Sequence, residues 1–147
     1  MKNNFPLAQF KLDKKGKSPA LFSNKEIPNI DNKILSKLKI FSKNNDNCNV
    51  RICLHKNKKK NLHNMIVLLN KKNKSLIHEH KDIDEVYQIL EGKLKISVFK
   101  KKKKISSYIL SKKRNLIVRM NSGIVHQTQP LTSFVIFSEN RSKSKLR

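Results

Sequence analysis

The sequence predicts an all-β fold, a sandwich or barrel of short strands preceded by one short helix. Three observations carry this. Strand-like runs recur at 50–55, 65–69, 75–80, 85–90, 93–99, 105–110, 116–120, 124–128 and 133–138, with turn residues between them. In Lys93–Phe99 the alternation is clean, with Leu94, Ile96 and Val98 on one face and Lys93, Lys95 and Ser97 on the other. A stripe of helical period, Ile30, Ile34, Leu38 and Phe41, follows the arm and precedes the strands. A chain of 147 residues, 37% of them hydrophobic, supplies one core and one domain.

Taken in order, residues 1–28 have mixed composition with Pro6, Pro19 and Pro28, and read as an extended N-terminal arm. Asp31 suits the N-cap of a helix running to about Ser42, which Asn44-Asn45-Asp46-Asn47 ends. The single domain then spans 29–140. Within it Lys100–Lys104 reads as a solvated hairpin tip rather than a binding tract. Residues 141–147 form a basic C-terminal tail that is expected to fray.

The chemistry concentrates in H-E-H-K-D-I-D-E-V-Y-Q-I-L-E-G, from His78 to Gly92. On a strand, side chains at i and i+2 share a face, so a strand over 75–80 would project His78 and His80 together. Glu85 opens the next strand-like run, and His126 follows Gly123 further on. Neutral imidazoles and a carboxylate suit Zn, Mn, Fe or Ni in sites that keep open positions. The pair His78 and His80 alone would equally suit exposed loop residues; Glu85, Gly92 and His126 weigh against that reading.

H-x-H, four residues, Glu, six residues, Gly resembles the first cupin motif, matched by His78, His80, Glu85 and Gly92, and Gly123-Ile124-Val125-His126 resembles the core of the second. Lys72, Asn121 and Pro130 stand at three turn positions where that family has glycine, proline and asparagine. The order of Arg51-Ile52-Cys53-Leu54-His55, Met65–Leu69 and Leu94–Phe99 around the motif is similar to the WbuC-type cupin-fold metalloproteins, although Glu139–Ser142 replaces the Gly-Pro near their C-terminal end. The likeness covers roughly 30 to 140. It implies a double-stranded β-helix, the cupin jelly roll, with one divalent metal held by His78, His80, Glu85 and His126. It also implies a sugar or sugar acid as ligand, in bacterial surface-polysaccharide (O-antigen) synthesis. The enzyme class would be an isomerase, dioxygenase or hydrolase; a non-catalytic metal- or sugar-binding module is the alternative. Cupins often pair as homodimers.

Two further readings concern the surroundings. In 50–55, Val50, Ile52 and Leu54 take one face while Arg51, Cys53 and His55 share the other. Arg51 and His55 could line a pocket for an anionic ligand, or face water on an edge strand. Tyr87 and His55 are candidates for proton transfer, and His63 reads as solvated.

The net charge of +24 invites a nucleic-acid reading, but lysine supplies 29 of the 34 basic residues. Arginine forks and interleaved aromatics, which dedicated nucleic-acid surfaces favour, are scarce. Lys, Asn and Ile make up 61 of the 147 residues, a bias expected from an A/T-rich genome, so the charge reads as background and no specific nucleic acid is expected. Half of the ten acidic residues fall between Glu79 and Glu91. This leaves a local negative field around the motif, although Asp82 and Asp84 read as solvated. Cys48 and Cys53 are expected as ordinary thiols. No apolar run suits a membrane span or a secretory signal, so a cytoplasmic protein is expected.

Overall fold

The structure, a computed structural model, describes residues 9–13, 15–72 and 75–143. Its elements are β1 (Phe10–Asp13), β2 (Ala20–Ser23), α1 (Asn32–Lys43), β3 (Val50–Cys53), β4 (Leu62–Asn70), β5 (Ile83–Glu91), β6 (Leu94–Lys100), β7 (Lys103–Leu110), β8 (Ile117–Met120), β9 (Val125–Pro130) and β10 (Phe134–Lys143). Seven strands form one sheet in the order β1-β2-β3-β4-β10-β5-β8, and β7-β6-β9 form a second. Among the described strands β2 and β3 pair in parallel and the other strand pairs are antiparallel. This is the expected all-β cupin jelly roll with one short helix, which follows β1 and β2 rather than preceding every strand.

Two apolar layers hold it together. Between the sheets lie Tyr87, Ile89, Leu94, Ile96, Leu110, Val135 and Phe137 among others. On the outer face of the large sheet, Ile34, Leu38 and Phe41 of α1 pack against Val50, Ile52, Ile66, Leu68 and Ile136. The strands therefore carry apolar residues on both faces, as a sheet covered on both sides requires. The Asp31 carboxylate caps α1 by accepting from the Ile34 N–H at 2.8 Å, and Lys43 sits in its last turn, as the helix dipole favours.

The alternation along β10 positions the functional end of the jelly roll. Val135 and Phe137 face the interior and are buried in its core; Glu139 and Arg141 continue the same face. Register places Glu139 beside Met65 and Tyr87, and Arg141 beside His63 and Glu85. Thus one end of the interior is apolar and the other is lined by ionisable groups.

Three expectations are corrected. Residues 1–28 are not all an extended arm: 10–13 and 20–23 form a hairpin that extends the large sheet, burying Phe10, Ala20 and Leu21. The expected arm also included 1–8 and 14, which lie outside the described residues. Residues 141–143 are not a frayed tail but the last residues of β10, paired on both sides up to Ser142; 144–147 lie outside the described residues. No strand spans 75–80. Instead Ser75, His78 and His80 are stitched to the chain around β9 by separate backbone bonds: Ser75 N–H to Thr128 O, a reciprocal pair between His78 and His126, and Gly123 N–H to His80 O. Cys48 and Cys53 are free thiols, as expected. Among the described residues, no helix is long and apolar enough to cross a membrane.

The β5–β6 turn depends on Gly92, whose φ is +82°. A Cβ there would lie 2.7 Å from both the Phe134 carbonyl oxygen and the Thr132 hydroxyl. Gly123 has a similar φ of +78° but open space around its missing Cβ. Gly92→Ala is therefore expected to cost about 2 kcal/mol or more, and Gly123→Ala only the backbone penalty of about 1–2 kcal/mol. Urea denaturation of the two variants, with equal losses in both, would show that the close contact at Gly92 carries no weight.

Candidate metal centre

His78, His80 and Glu85 come together at the ionisable end of the interior, and His126 lies outside that triple, against Glu85 on the buried side. The ligand atoms of His78, His80 and Glu85 all lie within 4.8 Å of one another. His80 Nε2 is 3.4 Å from Glu85 Oε1, and His126 Nε2 is 3.2 Å from Glu85 Oε2. The His78 ring centroid is 4.4 Å from that of His126 and 5.0 Å from that of His80. Glu85 and His126 are each 1% exposed, while His78 and His80 close the site from the partly exposed side.

The tautomers follow from backbone partners. Nδ1 of His78 lies 2.8 Å from the Leu76 carbonyl, and Nδ1 of His126 lies 2.9 Å from that of Ile124. A carbonyl can only accept, so each Nδ1 carries the proton and each neutral ring keeps its lone pair at Nε2. Four buried side-chain atoms among the described residues have no hydrogen-bond partner, Gln9 Oε1 and Asn45 Oδ1 elsewhere and, in this cluster, His80 Nε2 and Glu85 Oε1. Buried polar atoms are rarely left unmatched, and here both belong to groups that ligate metals. The donor set thus fits a divalent ion.

Glu85 Oε1 does have a cation nearby. Arg141 Nε approaches it to 2.9 Å, yet the N–H is aimed at Glu139, with which Arg141 forms a close double contact. The contact with Glu85 is therefore an ion pair without a good hydrogen bond, which reconciles it with the unmatched oxygen. Burial pushes the Glu85 carboxyl up, but the His126 bond and the charge of Arg141 outweigh it and hold the group below its ordinary value. Glu139, buried beside the cavity, is driven up by desolvation despite Arg141. For His126, burial is outweighed by the bond to Glu85 and the Ile124 carbonyl, so its proton is held more tightly than usual. His80 shifts the other way, its burial outweighing the pull of Glu85.

These shifts set a pH dependence for the metal-free protein. Glu85, lowered, contributes stability that is present above its unfolded value of 4.5 and lost as pH falls. His126, raised, contributes stability that is present below its unfolded value of 6.5 and lost as pH rises through the folded value. Glu85 and His126 together are therefore expected to contribute most between those values, against His80, whose lowered value costs stability as pH falls below 6.5, and metal affinity is expected to rise with pH as His126 gives up its proton. Chemical denaturation of wild type and His126→Gln across pH, with chelator present, tests this; the same pH dependence in both would contradict it.

A cavity of about 430 Å3 adjoins the cluster, its walls including Arg51, His55, His78, Tyr87, Glu139 and Arg141. The face shared by Arg51, Cys53 and His55 does turn inward, toward this cavity. His55 does not join the four clustered residues: its ring contacts are a stack on His63 at 4.3 Å and an edge contact with Phe22. Its pKa is lowered by burial and by His63. His63, expected to be solvated, is the other half of that stack and lines the cavity. The Tyr87 hydroxyl lies 3.1 Å from His126 Nε2, and burial, with Glu139 and Glu85, pushes its pKa far up. Asp84, also expected to be solvated, accepts from Arg119 at 2.8 Å and from the Ser122 N–H at 2.9 Å. That pairing ties β5 to the loop before β9.

Glu139 and Arg141 escaped the sequence reading. Two signals pointed to them: inward alternation continuing past Phe137, and arginine retained in a chain that otherwise uses lysine.

Solved structures of similar shape include a conserved protein of unknown function from Streptococcus pyogenes, 16% identical, over 67% of this chain and 76% of that chain, with a TM-score of 0.54. The cupin domain of Cnp3 from Schizosaccharomyces pombe is 12% identical over 63% of this chain and 62% of that one, with a TM-score of 0.51. A protein from Thermus thermophilus is 15% identical over 64% and 84%, with a TM-score of 0.50. At these identities the likeness is one of fold, and the fold is that of the cupins. No curated protein matches in sequence. The profile of DUF6016, a domain of unknown function, matches residues 30–110, a span that includes His78, His80 and Glu85. That span is more than half of the chain, which therefore belongs to the DUF6016 family.

Proposed function

We propose that this protein is a metal-dependent cupin acting on a small oxygenated molecule, a sugar or sugar acid, with one divalent ion of Fe, Mn, Zn or Ni held by His78, His80, Glu85 and His126. The observation that carries this reading is the pair of unmatched buried ligand atoms, His80 Nε2 and Glu85 Oε1, beside two further imidazoles. A bound ion supplies Lewis-acid polarisation or a hydroxide at neutral pH. The remaining work falls to the cavity walls. Tyr87, kept protonated, donates a hydrogen bond and does not serve as a base. His55, neutral at pH 7, is the group able to take up a proton. Arg51 holds and orients an anionic part of the ligand.

The likeness to WbuC-type sequences supports a role in bacterial surface-polysaccharide (O-antigen) synthesis, as a cytoplasmic isomerase, dioxygenase or hydrolase and as a homodimer. The second reading, a non-catalytic metal- or sugar-binding module, is favoured by one observation: His55 stacks on His63 rather than beside the four clustered residues. Binding of uronic acids and neutral sugars, measured with metal-loaded and chelator-treated protein, separates the two. A metal requirement, together with turnover lost in His126→Ala, supports the enzyme. Ligand binding indifferent to metal removal supports the module.

A further inference from the structure

The strongest unassigned feature is the arginine pair at the cavity wall. Arg141 is shared between two carboxylates, in ion-pair contact with Glu85 on β5 and bonded to Glu139 on its own strand. Arg51, on β3, lines the same cavity and makes no ion pair among the described residues. With imidazoles neutral, Glu85, Glu139 and Arg141 together carry −1. A divalent ion on the four candidate ligands would turn that local balance to +1, and Arg51 adds a further positive charge at the cavity wall. The Glu85 oxygen that now faces Arg141 is the one left without a hydrogen bond, and it would be engaged by the ion.

We infer that the cavity takes a small carboxylate, held by Arg51 and Arg141, and that metal and carboxylate bind cooperatively because the metal offsets the charge of Glu85 and turns the local balance positive. This rests on the metal centre proposed above. Without metal, Arg141 serves as the counter-charge of Glu85, and a second anion meets two buried carboxylates. With metal, Glu85 is satisfied, and the fork of Arg141 keeps Glu139 on one side while offering its other edge to the cavity. Arginine matches a carboxylate through two parallel N–H donors, which a neutral hydroxyl group cannot reproduce. Coupling of this kind is reciprocal: the carboxylate must tighten the metal by the same factor that the metal tightens the carboxylate.

Glucuronate and glucose share a ring and differ in the carboxylate, so they serve as probes. Manganese is titrated calorimetrically into full-length protein with either present at equal concentration. On the order of a tenfold lower manganese Kd in glucuronate than in glucose is expected, within the usual range of site-to-site coupling. Arg51→Met, compared with its own manganese affinity in glucose, should lose most of the glucuronate effect. Arg141→Lys, which keeps the charge but not the fork, should also lose it while remaining folded by circular dichroism. Equal manganese affinity in the two sugars overturns the coupling and leaves the metal centre standing. An undiminished glucuronate effect in both variants overturns the role given to the arginines. Wild type that binds no manganese, zinc, iron or nickel overturns the metal centre, and the coupling with it.

Discussion

Replacing Arg141 with methionine is expected to destabilise the metal-free protein by about 3 kcal/mol, the lower end of what breaking a buried ion pair costs. The lower end applies because the Arg141 side chain is 30% exposed. Two carboxylates stand to lose their cation. Glu139 is buried and in close contact with Arg141, and Glu85 is 1% exposed with one oxygen already unmatched. Two controls follow from the same physics. Adding Glu139→Leu to Arg141→Met removes one stranded charge and should recover much of the loss, since apolar replacement of a buried pair is often neutral. Saturating divalent metal should narrow the deficit as well, because it satisfies Glu85 by another route. Thermal denaturation of the single and double variants, with chelator and with metal, measures all of this. A single variant as stable as wild type in chelator would show that Arg141 is not the counter-charge the geometry makes it.

The second large effect concerns Glu85 itself. Glu85→Gln conserves volume and removes the one carboxylate among the four candidate ligands, and it leaves Arg141 bonded to Glu139. Metal affinity is expected to fall by more than the roughly 10–100-fold that loss of a supporting group around a metal costs. Asp84→Asn, one residue away, is the matched control. Its carboxylate pairs with Arg119 and the Ser122 N–H on the outer side of the strand, so metal affinity should stay within about twofold of wild type, as substitutions away from a site generally leave it. Equilibrium dialysis with zinc or manganese separates the two. Equal losses would mean that general negative charge near β5, not ligation by Glu85, holds the ion.

The sequence disclosed those parts of the fold that short-range patterning controls. Asp31, followed by apolar residues at helical spacing, announced α1, and the alternation of Leu94, Ile96 and Val98 announced β6 and its two faces. The four clustered residues were legible because the spacing from His78 to Glu85 is short and His126 follows a turn glycine. What stayed hidden depends on distant pairing. The β1–β2 hairpin has little alternation, and it is ordered by parallel pairing of β2 to β3, a partner far along the chain. At 75–80 the apolar run suggested a strand, but only isolated backbone bonds to the β9 region form there, and the two histidines are aligned by those bonds rather than by a pleat. Arg141 was masked by composition. In a chain with 29 lysines a basic C-terminal stretch looks like solvated background, and only its place on the inward row of β10, beside Glu85, gives it a role.

Elemental analysis of purified wild type and His78→Ala, after loading with divalent metal and exhaustive dialysis, tests the central claim most directly. Wild type is expected to retain about one divalent ion per chain, as a single four-ligand site would, and His78→Ala clearly less. Equal metal content in the two proteins, or wild type that retains none, would contradict the metal centre.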